Sequence, residues 1–314
     1  MEANDKIQIK NDRPFRILSL DGGGAKGFYT LGLLKQIEAI NGGLLCDRFD
    51  LIFGTSTGAI IAALLGLGYR VDEIHALYRT YVPAIMSCHT ASGKTAALKE
   101  LATKVFGDRD FSCFKTDVGI VATQWDFEKP KIFKTNRAQA HGRLDTFIPG
   151  FGKKISEAVQ ASCSAFPFFK RVRLKLDNEQ AVELADGGYC ANNPTLYAIA
   201  DGIKLESSRA NLRVVSLGVG VYPEPKYVFY KSWIRKFPAV RLLQKTLDIN
   251  TNSMEQLRKI LFKDVPTIRI SETFSRPEMA TDLMEHNLAK LDQLYQRGGE
   301  SFAQHEEEVR KYLT

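Results

Sequence analysis

A short glycine-bounded segment, GTSTG at residues 54–58, places a serine where it could act as a nucleophile. The hydrophobic pattern predicts a buried strand before this segment and a helix after it. A serine on such a strand-to-helix turn needs small neighbours, here Gly54 and Gly58, because larger side chains would collide with the sheet and the helix. The first amides of the helix would favour negative charge beside the Ser56 hydroxyl. The alternative is an ordinary helix start capped by Ser56 or Thr55.

A second glycine-rich segment, DGGGAKG at residues 21–27, also follows a predicted strand and opens a predicted helix. Its consecutive glycines leave backbone N–H groups uncovered by side chains. Such groups suit an oxyanion hole, which stabilises the negative charge of a tetrahedral intermediate. The residues concerned are Gly22, Gly23 and Gly24.

Two phosphate-binding interpretations fit the same segment less well. Its glycines satisfy the GxGxxG pattern of dinucleotide-binding folds, which need an acidic residue at the end of the second strand. Here Asp47 and Asp50 precede that strand, and its far end is the Ser56 turn. A P-loop needs Ser or Thr after its lysine, but Lys26 is followed by glycine. A non-catalytic signalling module that binds a nucleotide with residues 22–27 is the alternative to an enzyme.

An aspartate is better placed than any histidine to activate Ser56. Asp186 ends an apolar predicted strand and begins the sequence Asp186, Gly187, Gly188, which by itself is also a common turn. None of the five histidines ends a predicted strand, where the histidine of a catalytic triad would be held. An aspartate with a pKa of about 3.9 is a weak base, with a handicap on the order of 4 kcal/mol at neutral pH. One oxyanion donor contributes roughly 2.7 to 4 kcal/mol, so a Ser-Asp pair makes sense beside the glycine segment.

Strands and helices alternate along most of the chain. The pattern predicts strands at residues 15–20, 49–53, 118–123, 131–134, 182–185, 213–217 and 267–270. It predicts helices at residues 28–40, 59–67, 72–81, 96–106, 155–162, 240–262 and from 279 to the end. This alternation favours a three-layer α/β/α fold with a mainly parallel central sheet. We expect one domain made of an N-terminal extension (1–14), a catalytic core (15–222) and a mostly helical C-terminal part packed on it (223–314).

The composition is that of a folded protein, with 44% hydrophobic and 25% charged residues in a chain of 314. The net charge of +7 suits a membrane surface or another anionic partner. The absence of zinc-finger spacing and of a basic arm argues against a nucleic-acid polymer. Five scattered cysteines without a CxxC pair indicate a reduced intracellular protein. No apolar stretch approaches the roughly 20 residues of a membrane span, so we expect a cytoplasmic protein acting peripherally at the inner membrane surface.

In this order, the segments DGGGAKG, GTSTG and DGG resemble the motifs of the patatin-like phospholipases, lipid acyl hydrolases with a Ser-Asp dyad. Further similarity lies in ASCSAFP at residues 161–167, NNP at 192–194 and VSLGVG at 215–220. The resemblance spans residues 16–220, and a weaker similarity continues through 267–297. It implies a patatin-like three-layer fold.

The resemblance also implies a role for each matched residue. The nucleophile and the base would be Ser56 and Asp186. The oxyanion hole would be formed by Gly22, Gly23 and Gly24. The two turns would be supported by Gly54, Gly58, Gly187 and Gly188. Lys26 would have a supporting role at a position where arginine is frequent in the family, although lysine lacks the planar fork of arginine.

The implied reaction is hydrolysis of membrane glycerophospholipid esters through an acyl-enzyme intermediate, without a metal or a cofactor. Many bacterial family members of this size look like effectors of antiphage signalling that are switched on by a cyclic nucleotide. The resemblance therefore implies a cyclic di- or trinucleotide activator as a hypothesis, and it leaves open whether the chain forms a homo-oligomer.

The stretch at residues 226–245 interleaves aromatic with basic side chains. Aromatic rings settle at a lipid interface while lysine and arginine reach anionic headgroups, so this stretch could dock on lipid or cover the site. An ordinary helix with a buried aromatic stripe and a solvated basic face is an equal alternative.

Overall fold

The computed structural model describes residues 13–142, 144–175, 181–225 and 238–313. The first twelve residues of the expected N-terminal extension lie outside the described residues. So do residues 226–237, which make up most of the aromatic and basic stretch.

Eight strands in the described part of the chain form one sheet. They are β1 (Phe15–Leu20), β2 (Leu51–Thr55), β3 (Asp117–Gln124), β4 (Lys129–Lys134), β5 (Val172–Lys175), β6 (Ala181–Asp186), β7 (Leu212–Leu217) and β8 (Thr267–Ile270). The α-helices in the same residues are α1 (Gly27–Asn41), α2 (Thr57–Gly66), α3 (Val71–Ser87), α4 (Ala91–Phe106), α5 (Ile155–Ser162), α6 (Gly188–Ala191), α7 (Thr195–Glu206), α8 (Pro238–Leu261), α9 (Leu288–Ala303) and α10 (Glu306–Leu313).

The strands lie in the order β5, β6, β3, β2, β1, β7, β8, and β4 pairs with β3 beside this path. The centre of the sheet is parallel, since β1 pairs in parallel with β2 and β7, β2 with β3, and β7 with β8. The pairings of β3 with β4 and β6, and of β5 with β6, are antiparallel. Strands in the parallel centre are buried on both faces, which explains their continuous apolar sequences.

Successive residues of one central strand enter two separate cores. Leu18 and Leu20 of β1 point into the larger core, which includes side chains from α1 to α5 and from α9. Ile17 points to the opposite face, where α7 contributes Ala198 and Ile199. Helices therefore cover both faces of the sheet, as the sequence predicts for a three-layer fold.

Three elements, β5, α6 and α7, lie where the sequence pattern indicates none. Strand β5 is at the end of the sheet order and alternates exposed basic with apolar residues over four positions, which is too short for a clear signal. Helix α6 is only four residues long and begins with glycine. Helix α7 contains Gly202, a residue with low helix propensity, but Gly202 allows a close approach to Ile17 of β1. The C-terminal helices begin at Leu288 rather than at residue 279.

The C-terminal elements contact the rest of the fold directly. Helix α9 packs against α1, and the two backbones approach closely at Gly32 and Gly298, where an added Cβ would overlap the other helix. The division into an extension, a core and a C-terminal part stays a prediction. Among the described helices, none combines the length and apolarity needed to cross a bilayer.

Candidate active site

Strand β3 brings the ends of β2 and β6 together. β2 runs parallel to β3 and ends with Thr55 opposite Val121. β6 runs antiparallel to β3 and ends with Asp186 opposite Ala122, the next residue along. Because β4 occupies the other edge of β3, β2 and β6 share one edge and point toward each other. The residue after Thr55 and the carboxylate of Asp186 therefore meet at adjacent positions of the sheet.

Ser56 occupies a strained turn between β2 and α2. Its φ of 52° and ψ of −121° lie outside the regions that non-glycine residues favour. A Cβ added to Gly58 would overlap the carbonyl oxygen of Leu20, and one added to Gly54 would overlap the carbonyl oxygen of Gly58. The turn therefore requires small neighbours, as the sequence analysis expects for a nucleophile of this kind.

The side chains of Ser56 and Asp186 are hydrogen-bonded. Ser56 Oγ donates to Asp186 Oδ2 at 2.7 Å, and the backbone N–H of Gly188 donates to Asp186 Oδ1 at 2.7 Å. Asp186 is only 2% exposed. Burial raises the pKa of Asp186 to about 7, and the hydrogen bonds from Gly188 and Ser56 oppose this rise. The handicap expected for an aspartate of ordinary pKa is therefore largely absent here, because the carboxyl titrates near neutral pH.

The three glycines of the DGGG segment differ in their hydrogen bonding. The N–H of Gly22 donates to the carbonyl oxygen of Asn192 at 2.9 Å, so it is not free to bind an oxyanion. This corrects the expectation for Gly22. Within the described residues, no hydrogen bond from the N–H of Gly23 or Gly24 is found, and both glycines line the same cavity as Ser56. Gly24 has a φ of 57°, and a Cβ there would lie 2.5 Å from the Leu283 carbonyl oxygen.

An apolar cavity begins at Ser56 and is lined by side chains from α2, α3, α4 and α5. Its aliphatic lining includes Ile60, Leu64, Val82, Leu98, Leu101 and Val159. The polar groups of the lining include Ser56, Asp186 and Asn192. Such a cavity suits a hydrocarbon chain whose polar end reaches the serine, and it offers little to the phosphates of a nucleotide. The lining therefore favours a lipid hydrolase over the nucleotide-binding module.

Comparison with known proteins identifies the family. The sequence matches the patatin-like phospholipase family over residues 18–199, more than half of the chain. The chain belongs to this family. It is 60% identical over 304 residues to a cUMP-AMP-activated phospholipase of Escherichia coli, covering 96% of this chain and 95% of that protein.

More distant proteins are similar over varying lengths. The chain is 27% identical over 217 residues to a cGAMP-activated phospholipase of Pseudomonas aeruginosa, covering 66% of this chain and 62% of that one. Among solved structures, VipD from Legionella pneumophila aligns with 93% of this chain and 66% of its own at 14% identity and a TM-score of 0.47. Family membership confirms the predicted patatin-like fold and makes the chain a hydrolase of lipid esters.

Ser162 holds the Ser56 turn of this patatin-like chain in place. Its buried Oγ accepts the N–H of Ser56 at 2.9 Å and donates to the carbonyl oxygen of Val121 at 2.6 Å. The hydroxyl thereby links the Ser56 turn to β3. No residue pattern by itself predicts a role for Ser162, and only the similarity of residues 161–167 to the family singles out its segment.

Arg269 lies in the C-terminal part of the patatin-like chain and holds the start of the glycine segment in place. Its guanidinium donates to both carboxylate oxygens of buried Asp21, and also to Ser216 Oγ at 2.9 Å. Arg269 lies on β8, so the ion pair ties that strand to the start of the DGGG segment. An arginine within the short strand TIRI is the signal that could have identified it, because strands buried in a sheet seldom carry an unpaired charge.

Helix α8 holds the residues that follow Asp186. The N–H of Asn192 donates to Asn250 Oδ1 at 2.9 Å, and Asn192 Nδ2 donates to Thr251 Oγ1 at 2.7 Å. Asn192 Nδ2 also lies 3.3 Å from the carbonyl oxygen of Gly22. Asn192 therefore connects three parts of the site: the loop after the base, the glycine segment and α8.

Lys26 is 5% exposed and lies within the fold. Burial lowers the pKa of its ammonium, and the carboxylates of Asp248, Asp282 and Asp21 oppose that shift. These carboxylates compensate its charge. The supporting role that the sequence analysis assigns to Lys26 stays a prediction.

Three of the five histidines contact residues outside the Ser56–Asp186 pair. His75 stacks on Tyr295 with ring centroids 4.1 Å apart. His141 Nε2 lies 2.7 Å from Asp201 Oδ1, and His305 Nε2 lies 3.2 Å from Glu272 Oε1. Across the described ranges, no cluster of three or more His, Cys, Asp or Glu side chains has an arrangement that could hold a metal ion.

Proposed function

We propose that this chain hydrolyses membrane glycerophospholipids as a serine phospholipase, with Ser56 as the nucleophile and Asp186 as the base. The observation that carries the proposal is the 2.7 Å hydrogen bond between Ser56 Oγ and Asp186 Oδ2 at the end of an apolar cavity. The pKa of about 7 for Asp186 supports it, since a base in this range works well at neutral pH.

The chemistry follows from the positions of these groups. As Ser56 Oγ attacks the ester carbonyl carbon, Asp186 accepts its proton. The amides of Gly23 and Gly24 stabilise the oxyanion of the tetrahedral intermediate. Asp186 then gives the proton to the leaving alcohol of the lysophospholipid, which leaves an acyl group on Ser56. Water activated by the same carboxylate releases the fatty acid, whose chain occupies the apolar cavity.

A fluorophosphonate probe tests the nucleophile. In the presence of cUMP-AMP, wild-type protein is expected to be labelled and to release fatty acid from phospholipid vesicles, whereas Ser56→Ala is expected to do neither. Ser164→Ala is the matched control, because Ser164 is also buried but donates to the carbonyl oxygen of Gln160. Labelling that persists in Ser56→Ala would disprove the assignment.

We further propose that a cyclic dinucleotide switches on the activity, and that cUMP-AMP is the activator. The support is the 60% identity over nearly the full length of a protein named for activation by that molecule. Initial rates of vesicle hydrolysis with cUMP-AMP, with cGAMP, with a cyclic trinucleotide and without nucleotide distinguish the candidates. Light scattering of the protein with and without each nucleotide, in the absence of vesicles, tests the homo-oligomer hypothesis. Full activity without nucleotide and indifference to all of them would refute this proposal and leave the hydrolase intact.

The proposed setting is the cytoplasmic face of the inner membrane, in antiphage defence. A bacterial strain that expresses the chain together with a cUMP-AMP synthase is expected to lose phospholipid and accumulate lysophospholipid. The Ser56→Ala strain is expected to keep its lipid composition. Equal lipid loss in both strains would contradict the proposal.

A further inference from the structure

An exposed aromatic surface lies beside the β6 end of the sheet. Phe127 is 58% exposed, Phe166 is 48% exposed and Trp125 is 36% exposed. Trp125 and Phe127 lie in the loop between β3 and β4, and Phe166 follows α5. Large exposed aromatic side chains that cluster in this way mark a surface for binding rather than ordinary solvent exposure. We call these three residues, together with Tyr189, the aromatic surface.

Contacts hold three of the four aromatic side chains, those of Trp125, Phe166 and Tyr189, in place. Trp125 packs edge-on against Tyr189 with ring centroids 5.4 Å apart, and the Tyr189 hydroxyl donates to the carbonyl oxygen of Phe166 at 2.6 Å. The Arg171 guanidinium lies 4.9 Å from the centre of the Trp125 ring and 5.5 Å from that of Phe166. These side chains are therefore ordered before binding, so binding to a partner surface costs them little side-chain entropy.

The segments that carry the aromatic surface also carry basic side chains. In residues 124–129 and 165–175 they are Lys129, Lys170, Arg171, Arg173 and Lys175. The acidic ones in these ranges are Asp126 and Glu128, and Glu183 of β6 pairs with Arg171 at 3.2 Å. Lys129 Nζ lies 4.8 Å from the centre of the Phe127 ring. Exposed Trp and Phe rings beside Lys and Arg match the chemistry of an anionic lipid interface.

The aromatic surface adjoins the catalytic site. Tyr189 lies on the short helix α6, which begins two residues after Asp186. Phe166 lies between Ala165 and Phe168, both of which line the apolar cavity. A bilayer bound to this surface would therefore lie beside residues 165–168, which contribute to the lining of the cavity.

We propose that the aromatic surface docks the protein on an anionic phospholipid bilayer and thereby presents the cavity to its substrate. This deepens the proposed phospholipase function and rests on it. No residue of this surface belongs to the sequence stretch 226–245. A nucleotide that stacks on these exposed rings is the alternative occupant, and the soluble-ester assay below distinguishes it from a bilayer.

Vesicle flotation in the Ser56→Ala background measures docking without hydrolysis. Vesicles of phosphatidylglycerol and phosphatidylethanolamine are expected to bind the protein, and vesicles of phosphatidylcholine are expected to bind it less. Phe127→Glu is expected to weaken binding about tenfold or more, because it removes an inserted ring and adds a repelled charge. The matched control is Leu288→Glu, at a residue that is 43% exposed on α9 and is expected to bind like its parent.

A gain-of-signal variant keeps the test valid if the Glu variant misfolds. Phe127→Trp is expected to keep full binding and to show a blue shift of tryptophan emission when anionic vesicles are added. Phe127→Glu in the otherwise wild-type chain is expected to hydrolyse a soluble ester within about twofold of wild type, because Phe127 is not part of the cavity lining.

Three results would overturn the docking proposal. One is flotation of Phe127→Glu equal to that of its parent. Another is the absence of any emission shift in Phe127→Trp. The third is a Phe127→Glu variant that binds vesicles as well as its parent but is no longer activated by cUMP-AMP when it hydrolyses the soluble ester. That result would assign the surface to nucleotide binding. A wild-type chain that floats but hydrolyses no ester in the presence of cUMP-AMP would instead contradict the phospholipase function.

Discussion

Burial gives Asp186 the pKa that a base at neutral pH needs. The carboxyl is 2% exposed, its pKa is about 7, and its only described hydrogen bonds come from Gly188 and Ser56. In a catalytic triad a histidine supplies this pKa, and a carboxylate orients the histidine. In the proposed mechanism one buried carboxyl does both, because the strand end fixes its orientation and desolvation sets its proton affinity.

The pH dependence of hydrolysis follows from the same residue. Only the deprotonated carboxylate can accept the Ser56 proton, so kcat/KM for a soluble ester is expected to rise with pH and to level off above about pH 7. A pH–rate profile between pH 5 and 9 checks this, with folding monitored by intrinsic fluorescence at each pH. A flat profile would rule out Asp186 as the titrating base.

Asp186 also makes the stability of the fold depend on pH. Its pKa is raised in the folded state, so between about pH 4 and 7 the folded protein binds more protons than the unfolded chain, and stability falls as pH rises. The cost above pH 7 is at most about 4 kcal/mol. Asp186→Asn removes this cost, so it is expected to be more stable than wild type at pH 8, with the difference shrinking toward pH 4.

Urea denaturation at pH 4.5 and pH 8 measures this effect. Ser56→Ala serves as the control, because it keeps the buried carboxyl and is expected to keep the pH dependence. A stability difference between Asp186→Asn and wild type that is equal at both pH values would contradict the explanation by burial.

At the scale of elements, β3 positions the ends of the two strands that carry the proposed dyad. Its first residues pair with β2 and its last residues pair with β6, so a parallel and an antiparallel strand end against each other on one edge. The Ser162 hydroxyl reinforces this junction by bonding both β3 and the Ser56 turn. The strained backbone of Ser56 is therefore held by β3 and by Ser162 at the end of α5.

Ser162→Ala is expected to lower hydrolysis of a soluble ester by about tenfold or more and to cost roughly 1–3 kcal/mol of unfolding free energy, because the Ser56 N–H loses its buried acceptor. Ser164→Ala is the control, since its hydroxyl bonds only the carbonyl oxygen of Gln160 within the described residues. Ester kinetics and urea denaturation of both variants test this prediction. Equal effects would mean that Ser162 has no specific role in positioning the nucleophile.

At the scale of the whole molecule, the C-terminal elements complete a site whose reacting groups lie in the first two thirds of the chain. β8 supplies Arg269 to Asp21, and α8 supplies Asn250 and Thr251 to Asn192. These contacts hold the glycine segment and the loop after Asp186. A change in α8 or β8 would therefore reach the catalytic groups without touching the substrate.

Arg269→Met is expected to destabilise the fold by roughly 3–5 kcal/mol, because it leaves the carboxylate of Asp21, 2% exposed, without its counter-charge. Adding Asp21→Asn to this variant is expected to recover part of the loss. Arg297→Met is the control, since Arg297 pairs with Glu300 at the surface and such pairs contribute roughly 0–1 kcal/mol. Thermal or urea denaturation of the three variants is the measurement, and equal losses in both single variants would refute a structural role for the buried pair.

The sequence by itself determined the local parts of this site. The strand, glycine-bounded turn and helix around Ser56 are encoded by residues close in the chain, because the turn tolerates only small neighbours and the flanking apolar runs are long. The glycine segment and the strand that ends at Asp186 are equally local. The order of the three motifs was enough to identify the family.

Only the tertiary structure decided how these parts work together. The pairing of β2 and β6 along β3 brings Ser56 to Asp186, and packing buries Asp186 enough to raise its pKa. Packing also occupies the Gly22 amide with Asn192 and brings Arg269 to Asp21. Backbone preferences depend on neighbouring residues, whereas desolvation and long-range hydrogen bonds depend on which distant elements share a surface. For that reason the turn at Ser56 could be predicted from the chain, but the proton affinity of its base could not.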